Sequence, residues 1–276
     1  MTVALAHVNG IRLAYESSGE GEPVLLIGGT GMPPAAWQLF QVPALTAGGY
    51  RAVALASRGV APSQAPPPPY SIADLAADSA ALIERLALAP CRVVGLSLGG
   101  FVAEELARSR PDLVRCVVLI ASAGSPTAYV RIKFSAEREL FAAAEVPPSH
   151  DLVHTLTHVL PQSVLRDDDD TVEHWAALLA GQPQAWTSAD GRLGQHHAAW
   201  AWLLDEDRRA GWPLIDPPCL VIAFEHDLYF PPRVAREAAA AMPNAICIAV
   251  PGATHAGIIE HSDAINQELI RFFADH

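Results

Sequence analysis

Two hydrophobic patterns alternate along the chain. Short runs without polar alternation recur at Val24 to Ile27, Ala52 to Leu55, Arg92 to Leu96, Val117 to Ile120, Leu220 to Ala223 and Ile246 to Val250. Runs of this length and continuity predict strands covered on both faces, as in a parallel sheet. Between them lie amphipathic stretches of helical length, notably Ser71 to Leu88, Leu98 to Arg108, Arg233 to Ala241 and Asp263 to Phe273. Ahead of all of these, Val3 to Val8 and Ile11 to Tyr15 flank Asn9-Gly10. That dipeptide accepts the positive φ angles of a type I′ turn, so the two segments predict a β-hairpin. Strand and helix in alternation predict an α/β architecture: a doubly wound, mostly parallel, eight-stranded sheet. Ser71, with Asp74 three residues on, predicts a capped helix start, although a capping box prefers Glu or Gln at that place. The four prolines Pro66 to Pro69 read as a stiff connector leading into it.

From Pro126 to Trp212 the alternation stops. No strand-like run occurs there, and helical patterns are separated by Pro147-Pro148, Pro161, Gly181, Pro183 and Gly191. We expect a helical cap over residues 126–212, inserted into a core made of residues 1–125 and 213–276. It holds Trp175, Trp186, Trp200 and Trp202, with Trp212 at its exit. A cap closing over a sheet buries aromatics both in its own core and in a pocket lining, and the sequence leaves both roles open. His150, His154 and His158 recur every four residues on one helical face. With no carboxylate completing a ligand motif, they predict a solvated or cap-packing stripe and no metal site. The run Asp167 to Asp170 predicts a solvated helix start favoured by the helix dipole.

Composition narrows the class. Over 276 residues, 51% are hydrophobic and 17% charged, a balance that predicts a globular chain. No run of about 18 uncharged apolar residues occurs, and the first residues lack the basic start and apolar stretch of a leader. The expectation is a cytoplasmic protein with no membrane partner. With 18 Lys and Arg against 30 Asp and Glu, the net charge is −12, and the average field repels polyanions such as nucleic acid. Cys91, Cys116, Cys219 and Cys247 are widely spaced with no CxxC pair, and read as small buried hydrophobes, not as zinc ligands or disulfides.

The strongest chemical signal is Gly95-Leu96-Ser97-Leu98-Gly99, between a predicted strand and a predicted helix. A serine on so tight a turn needs small residues two before and two after it, and Gly95 and Gly99 supply them. A nucleophilic serine needs a base, and the base an orienting acid. His255 lies in the small-residue loop after the last predicted strand, and Asp227 in the loop after the preceding one. Both emerge at the C-terminal edge of the sheet, where open α/β sheets bind ligands. Glu225 competes with Asp227 for the acid's place. Asp227 is favoured because it stands nearer the loop crest before Pro231-Pro232.

On these residues the chain resembles α/β-hydrolase fold proteins with a helical cap, of the esterase, lactonase and cofactor-free haloperoxidase-like group. The resemblance spans nearly the whole chain and is weakest in the cap. It implies a catalytic triad of Ser97, Asp227 and His255 acting without a cofactor, with the Leu98 amide as one oxyanion donor. The second donor is expected from the loop Gly28 to Met32, at Thr30, with Gly29 as the alternative. Substrate contacts are expected at Gly29, Trp37, Trp186 and Trp200. Many relatives carry His-Gly where this chain has Gly28-Gly29, which removes the usual side-chain anchor of that loop. Another departure is Ala56-Ser57-Arg58-Gly59, where relatives place an aspartate two residues before the Arg-Gly pair.

The implied reaction is hydrolysis of a small or medium, largely apolar carboxylic ester, thioester or lactone through an acyl-enzyme on Ser97. The aspartate nucleophile of epoxide hydrolases and haloalkane dehalogenases is replaced here by that serine. Proton-transfer chemistry (cyclisation or elimination of a polyketide-like substrate), carbon–carbon bond hydrolysis or perhydrolysis at the same site is the alternative. A ligand receptor that signals through its cap belongs to a different class. The partner is a small-molecule substrate, and a homodimer is compatible with the sequence.

Overall fold

The predicted hairpin turns at Asn9 (φ 45°) and Gly10 (φ 78°), joining β1 (Ala4–Val8) to β2 (Ile11–Ser18) in antiparallel register. These two strands open a sheet that continues through β3 (Glu22–Ile27), β4 (Tyr50–Ala56), β5 (Cys91–Leu96), β6 (Val114–Ile120), β7 (Cys219–Phe224) and β8 (Ala245–Val250). The strand order is β1-β2-β4-β3-β5-β6-β7-β8, eight strands, and every pairing from β4 onward is parallel. This is a computed structural model, and it describes residues 3–143, 147–181 and 185–276. Pro183, one of the predicted helix breaks, and Met1 and Thr2 lie outside the described residues.

All six residues of β5 and all six of β7 are buried, which is why their sequences run apolar without alternation. Side chains nonetheless alternate between two cores. Leu25, Ile27, Val93, Leu119 and Val221 join one cluster, with α2 (Ile72–Arg85), α3 (Leu98–Ser109) and α9 (Pro232–Ala241). Val24, Leu26, Val94, Val118 and Ile222 join the other, with α1 (Gln41–Ala47) and α11 (Ser262–Asp275). The aspartate at the start of α2 forms a complete capping box: Ser71 Oγ accepts from the Asp74 amide at 3.1 Å, and the Asp74 carboxylate accepts from the Ser71 amide at 2.9 Å.

Between β6 and β7 the chain passes through α4 (Ala128–Ala143), α5 (Pro148–Val159), α6 (Gln162–Asp167), α7 (Asp169–Ala180) and α8 (Ala189–Leu204). Pro147 and Pro161 are the N-caps of α5 and α6, and Gly181 the C-cap of α7. Asp168 caps α7 by accepting from the Thr171 amide at 3.0 Å, with Asp169 and Asp170 exposed in the first turn. Gly191 corrects the expectation of a break. It lies inside α8, in the first turn, where its amide donates to the capping Ser188 Oγ at 3.3 Å.

A 3-10 segment (Pro34–Leu39), α1 and the four-residue α10 (Gly257–Glu260) were not predicted, being too short to display a helical period. All four cysteines are free thiols. Cys91, Cys116 and Cys219 are buried, and burial pushes the Cys91 and Cys116 thiols up to about 12. Among the described residues, no helix is long and apolar enough to cross a membrane.

Candidate active site

Ser97 stands between β5 and α3 with φ 52° and ψ −118°, a conformation that costs free energy for any residue with a side chain. The neighbouring strands hold it there, since the Ser97 amide donates to Ile120 O on β6 at 2.9 Å. A Cβ on Gly95 would lie 2.2 Å from Gly99 O, and one on Gly99 would lie 2.0 Å from Ile27 O. Gly100 is equally constrained, with Ser122 Oγ 2.0 Å from any added Cβ; the pentapeptide pattern does not reach that position. Gly99→Ala is therefore expected to destabilise the protein by more than about 4 kcal/mol, because the atoms nearest the added carbon are backbone of Ile27 and Gly28, which cannot rotate away. Urea unfolding checks this, and a loss below about 1 kcal/mol would show that the turn tolerates the side chain.

Three polar side chains from distant segments meet over this turn. Ser97 Oγ lies 3.1 Å from His255 Nε2, and His255 Nδ1 lies 2.9 Å from Asp227 Oδ2. The other Asp227 oxygen accepts from the Tyr229 and Phe230 amides at 2.7 and 3.2 Å. The carboxylate is thus fully enclosed, while the imidazole side chain keeps 19% of its exposure. Glu225 lies elsewhere: it is exposed and accepts from the Gly252 amide at 2.8 Å. The Tyr229 and Phe230 rings flank the imidazole at 4.9 and 6.3 Å between centroids.

A cavity of about 440 Å³ opens over Ser97 and His255. Gly29, Thr30, Leu98 and Trp186 line it, with Met32, Leu96, Phe101 and Phe134 as its apolar surface. Gly29 is buried, with its Cβ position 3.4 Å from Ser97 Cβ, whereas Thr30 is exposed. As the first residue of α3, Leu98 has an amide with no carbonyl to bond within the helix. Trp37 and Trp200 do not line this cavity, contrary to expectation. Trp37 is fully buried in the core shared with α1 and α11, and Trp200 is 4% exposed on α8. Trp175 and Trp202 are half-buried, and Trp212 is buried, donating from Nε1 to Glu104 at 2.9 Å. Of these aromatics, Trp186 alone meets the cavity, packed against Gly31.

A family model described as the alpha/beta hydrolase family matches residues 24–268. The chain belongs to the alpha/beta hydrolase family. It is 36% identical over 265 residues to BpoC of Mycobacterium tuberculosis, a protein that bears the name of a non-heme bromoperoxidase, with 96% of this chain and 98% of that relative covered. The crystal structure of that protein matches with a TM-score of 0.86 at 34% identity, covering 100% of this chain and 97% of the other. RutD of Variovorax paradoxus, named as a carbamate hydrolase, is 30% identical over 271 residues, with 95% and 96% covered. The crystal structure of an enol-lactonase from Burkholderia xenovorans LB400 matches with a TM-score of 0.81 at 25% identity, covering 98% and 100%.

In this α/β hydrolase the histidine stripe is solvated at one end and packed against α4 at the other: His150 is exposed, His154 half-buried and His158 buried beside Tyr129. All three also line the cavity, as do Lys133 and Glu137 of α4, and His154 Nε2 lies 3.3 Å from Glu137 Oε1. Burial, with help from the nearby Lys133, pushes the His154 imidazole down to about 4; burial pushes His158 down to about 3. Both rings are therefore neutral near pH 7. Among the described residues no group of three His, Cys, Asp or Glu side chains comes together as a metal site.

Sequence reasoning also missed Gln195. It is fully buried on α8, where its Oε1 accepts from the Gly31 amide at 3.0 Å and its Nε2 donates to Arg58 O at 2.8 Å. One side chain thus ties the loop after β3 to the loop after β4. With a sequence separation of 164 between Gln195 and Gly31, no local signal marks the pairing.

Proposed function

We propose that the protein is a serine hydrolase of a small to medium, largely apolar carboxylic ester, thioester or lactone. The carrying observation is the 3.1 Å approach of Ser97 Oγ to His255 Nε2 at the floor of an open cavity. Ser97 Oγ attacks the substrate carbonyl carbon as its proton passes to His255 Nε2. Charge collects on the former carbonyl oxygen and is met by the Leu98 amide and by the Thr30 amide, or that of Gly29. Each such donor contributes on the order of 3 kcal/mol to the transition state. Protonated His255 then gives its proton to the departing oxygen or sulfur, and the acyl group stays on Ser97. Water, deprotonated by the same imidazole, releases the acid. Asp227 keeps the imidazole proton on Nδ1 throughout. Residues 126–212 act as a cap that closes the substrate in over a core of residues 1–125 and 213–276. The names of two relatives, a carbamate hydrolase and an enol-lactonase, denote hydrolysis at a carboxyl-type carbonyl, which supports this reading. The bromoperoxidase name of BpoC favours a second one, in which peroxide replaces water in attacking the acyl-enzyme.

The test is a panel of p-nitrophenyl esters of rising chain length together with lactones and thioesters. Turnover of at least one class is expected, with a burst of p-nitrophenol if deacylation is slow. No turnover across the whole panel contradicts the proposal.

Gln195 enters this reading as a positioning residue that holds the loop carrying the second oxyanion amide. Gln195→Met is expected to lower kcat by roughly 10- to 100-fold with KM changed less than about threefold, because a displaced amide is felt only in the transition state. A structural role alone would lower the melting temperature and leave kcat per folded molecule unchanged.

A further inference from the structure

One wall of the cavity is not apolar. Lys133 and Glu137 stand one helical turn apart on α4 and form an ion pair, their side chains only 10% and 14% exposed. Glu137 Oε1 also lies 3.3 Å from His154 Nε2. The Lys133 ammonium is fixed over two rings, 5.1 Å from the centroid of Phe134 and 4.8 Å from that of Tyr229. Among the described residues, two of the three Lys133 protons and Glu137 Oε2 have no partner.

Stability does not account for this pair. Lysine preceding glutamate by four residues is the weaker orientation on a helix, and burial charges a desolvation cost against both ions. Desolvation lowers the Lys133 pKa, with Glu137 opposing it. Two charges held with unused hydrogen-bonding capacity toward a cavity are suited to a ligand. The cavity's other charged pair, Asp151 and Arg192, is joined at 2.9 Å. The charges of Lys133 and Glu137 offset each other, and the neighbouring His154 and His158 are neutral.

We propose that Lys133 and Glu137 form a subsite for a neutral oxygen function carried on the acyl part of the substrate: a ketone, hydroxyl or amide oxygen. This rests on the serine hydrolase reading and names the substrate class for it. The oxygen accepts from Lys133, and a hydroxyl also donates to Glu137 Oε2. A carboxylate meets the Glu137 charge, and an ammonium meets that of Lys133. Reach sets the chain length. The imidazole of His255 and the ammonium of Lys133 both lie within 5 Å of the Tyr229 ring centroid, and so less than 10 Å from each other. At about 1.2 Å per bond, an extended acyl chain of no more than about six carbons spans a gap of that size once hydrogen-bond lengths are allowed for.

The experiment compares kcat/KM for three p-nitrophenyl esters: pentanoate, 4-oxopentanoate and the glutarate monoester, which carries a free carboxylate. The protein is expected to prefer 4-oxopentanoate to pentanoate by about tenfold or more and to discriminate against the glutarate monoester. In Lys133→Met the ratio of oxo to plain ester falls to about one. In Glu137→Gln the unneutralised lysine raises the ratio of glutarate monoester to pentanoate by about tenfold. Each readout is a ratio within one variant, so loss of folded protein cancels. Turnover of pentanoate without the oxo preference, or a preference unaltered in Lys133→Met, overturns the subsite alone. Absence of turnover on every ester, with Ser97 unreactive, overturns the hydrolase reading and the subsite with it.

Discussion

Ser97→Ala is expected to lower kcat for any ester the protein turns over by roughly 10⁵- to 10⁶-fold. The side chain removed is the one whose oxygen sits 3.1 Å from His255 Nε2, and no other hydroxyl is hydrogen-bonded to that nitrogen among the described residues. Members of a catalytic unit fail together, so His255→Ala lowers kcat by a similar factor and the double variant is no slower than either single one. The pair also separates the two reaction types. In the acyl-enzyme route both substitutions abolish turnover. In proton-transfer chemistry on the same site, Ser97→Ala retains activity and His255→Ala loses it. The alanine fits the turn, because the strain at φ 52° is borne by the backbone and the Cβ is already accommodated.

Asp227→Asn is expected to cost about 10⁴-fold in kcat with the fold intact. The reason lies in the two backbone amides. Tyr229 N and Phe230 N donate to Oδ1 at 2.7 and 3.2 Å, so the carboxamide oxygen of an asparagine is compelled to take that place. Its NH₂ then faces His255 Nδ1, which must become an acceptor. The imidazole is left with its proton on Nε2, the nitrogen that has to receive the Ser97 proton. Matching circular dichroism and urea unfolding with a kcat reduced less than about tenfold would show that Asp227 does not set the tautomer.

The sheet was legible in the sequence because its central strands are buried on both faces and so run apolar without interruption. The elbow was legible because its constraint is local: Gly95 and Gly99 lie two residues from Ser97 and admit no Cβ. Asp227 and His255 were placed by topology, since each follows a parallel strand whose C-terminal end points to the same rim. Asp227 is favoured over Glu225 in the sequence by its place near the loop crest, and the physical reason for its place is the pair of Tyr229 and Phe230 amides that hold its carboxylate. The cavity walls were not legible. The resemblance implies pocket contacts at Trp37 and Trp200, yet residue type and pattern say only that such a side chain is buried, not what it is buried against. The stripe of His150, His154 and His158 is legible as one helical face that is partly solvated and partly packed against α4, but not as part of a cavity wall. What it faces is set by Lys133, Glu137 and Tyr229, contributed from other segments. Gln195 carries no sequence signal, as both of its partners are backbone groups of distant loops.

The most direct measurement is covalent. Folded protein is treated with a fluorophosphonate, and the adduct is counted by intact mass and located by peptide mapping. One adduct per chain is expected, on Ser97, absent in Ser97→Ala and formed far more slowly in His255→Ala. A folded protein that stays unmodified, or an adduct that maps to another residue, contradicts the hydrolase reading.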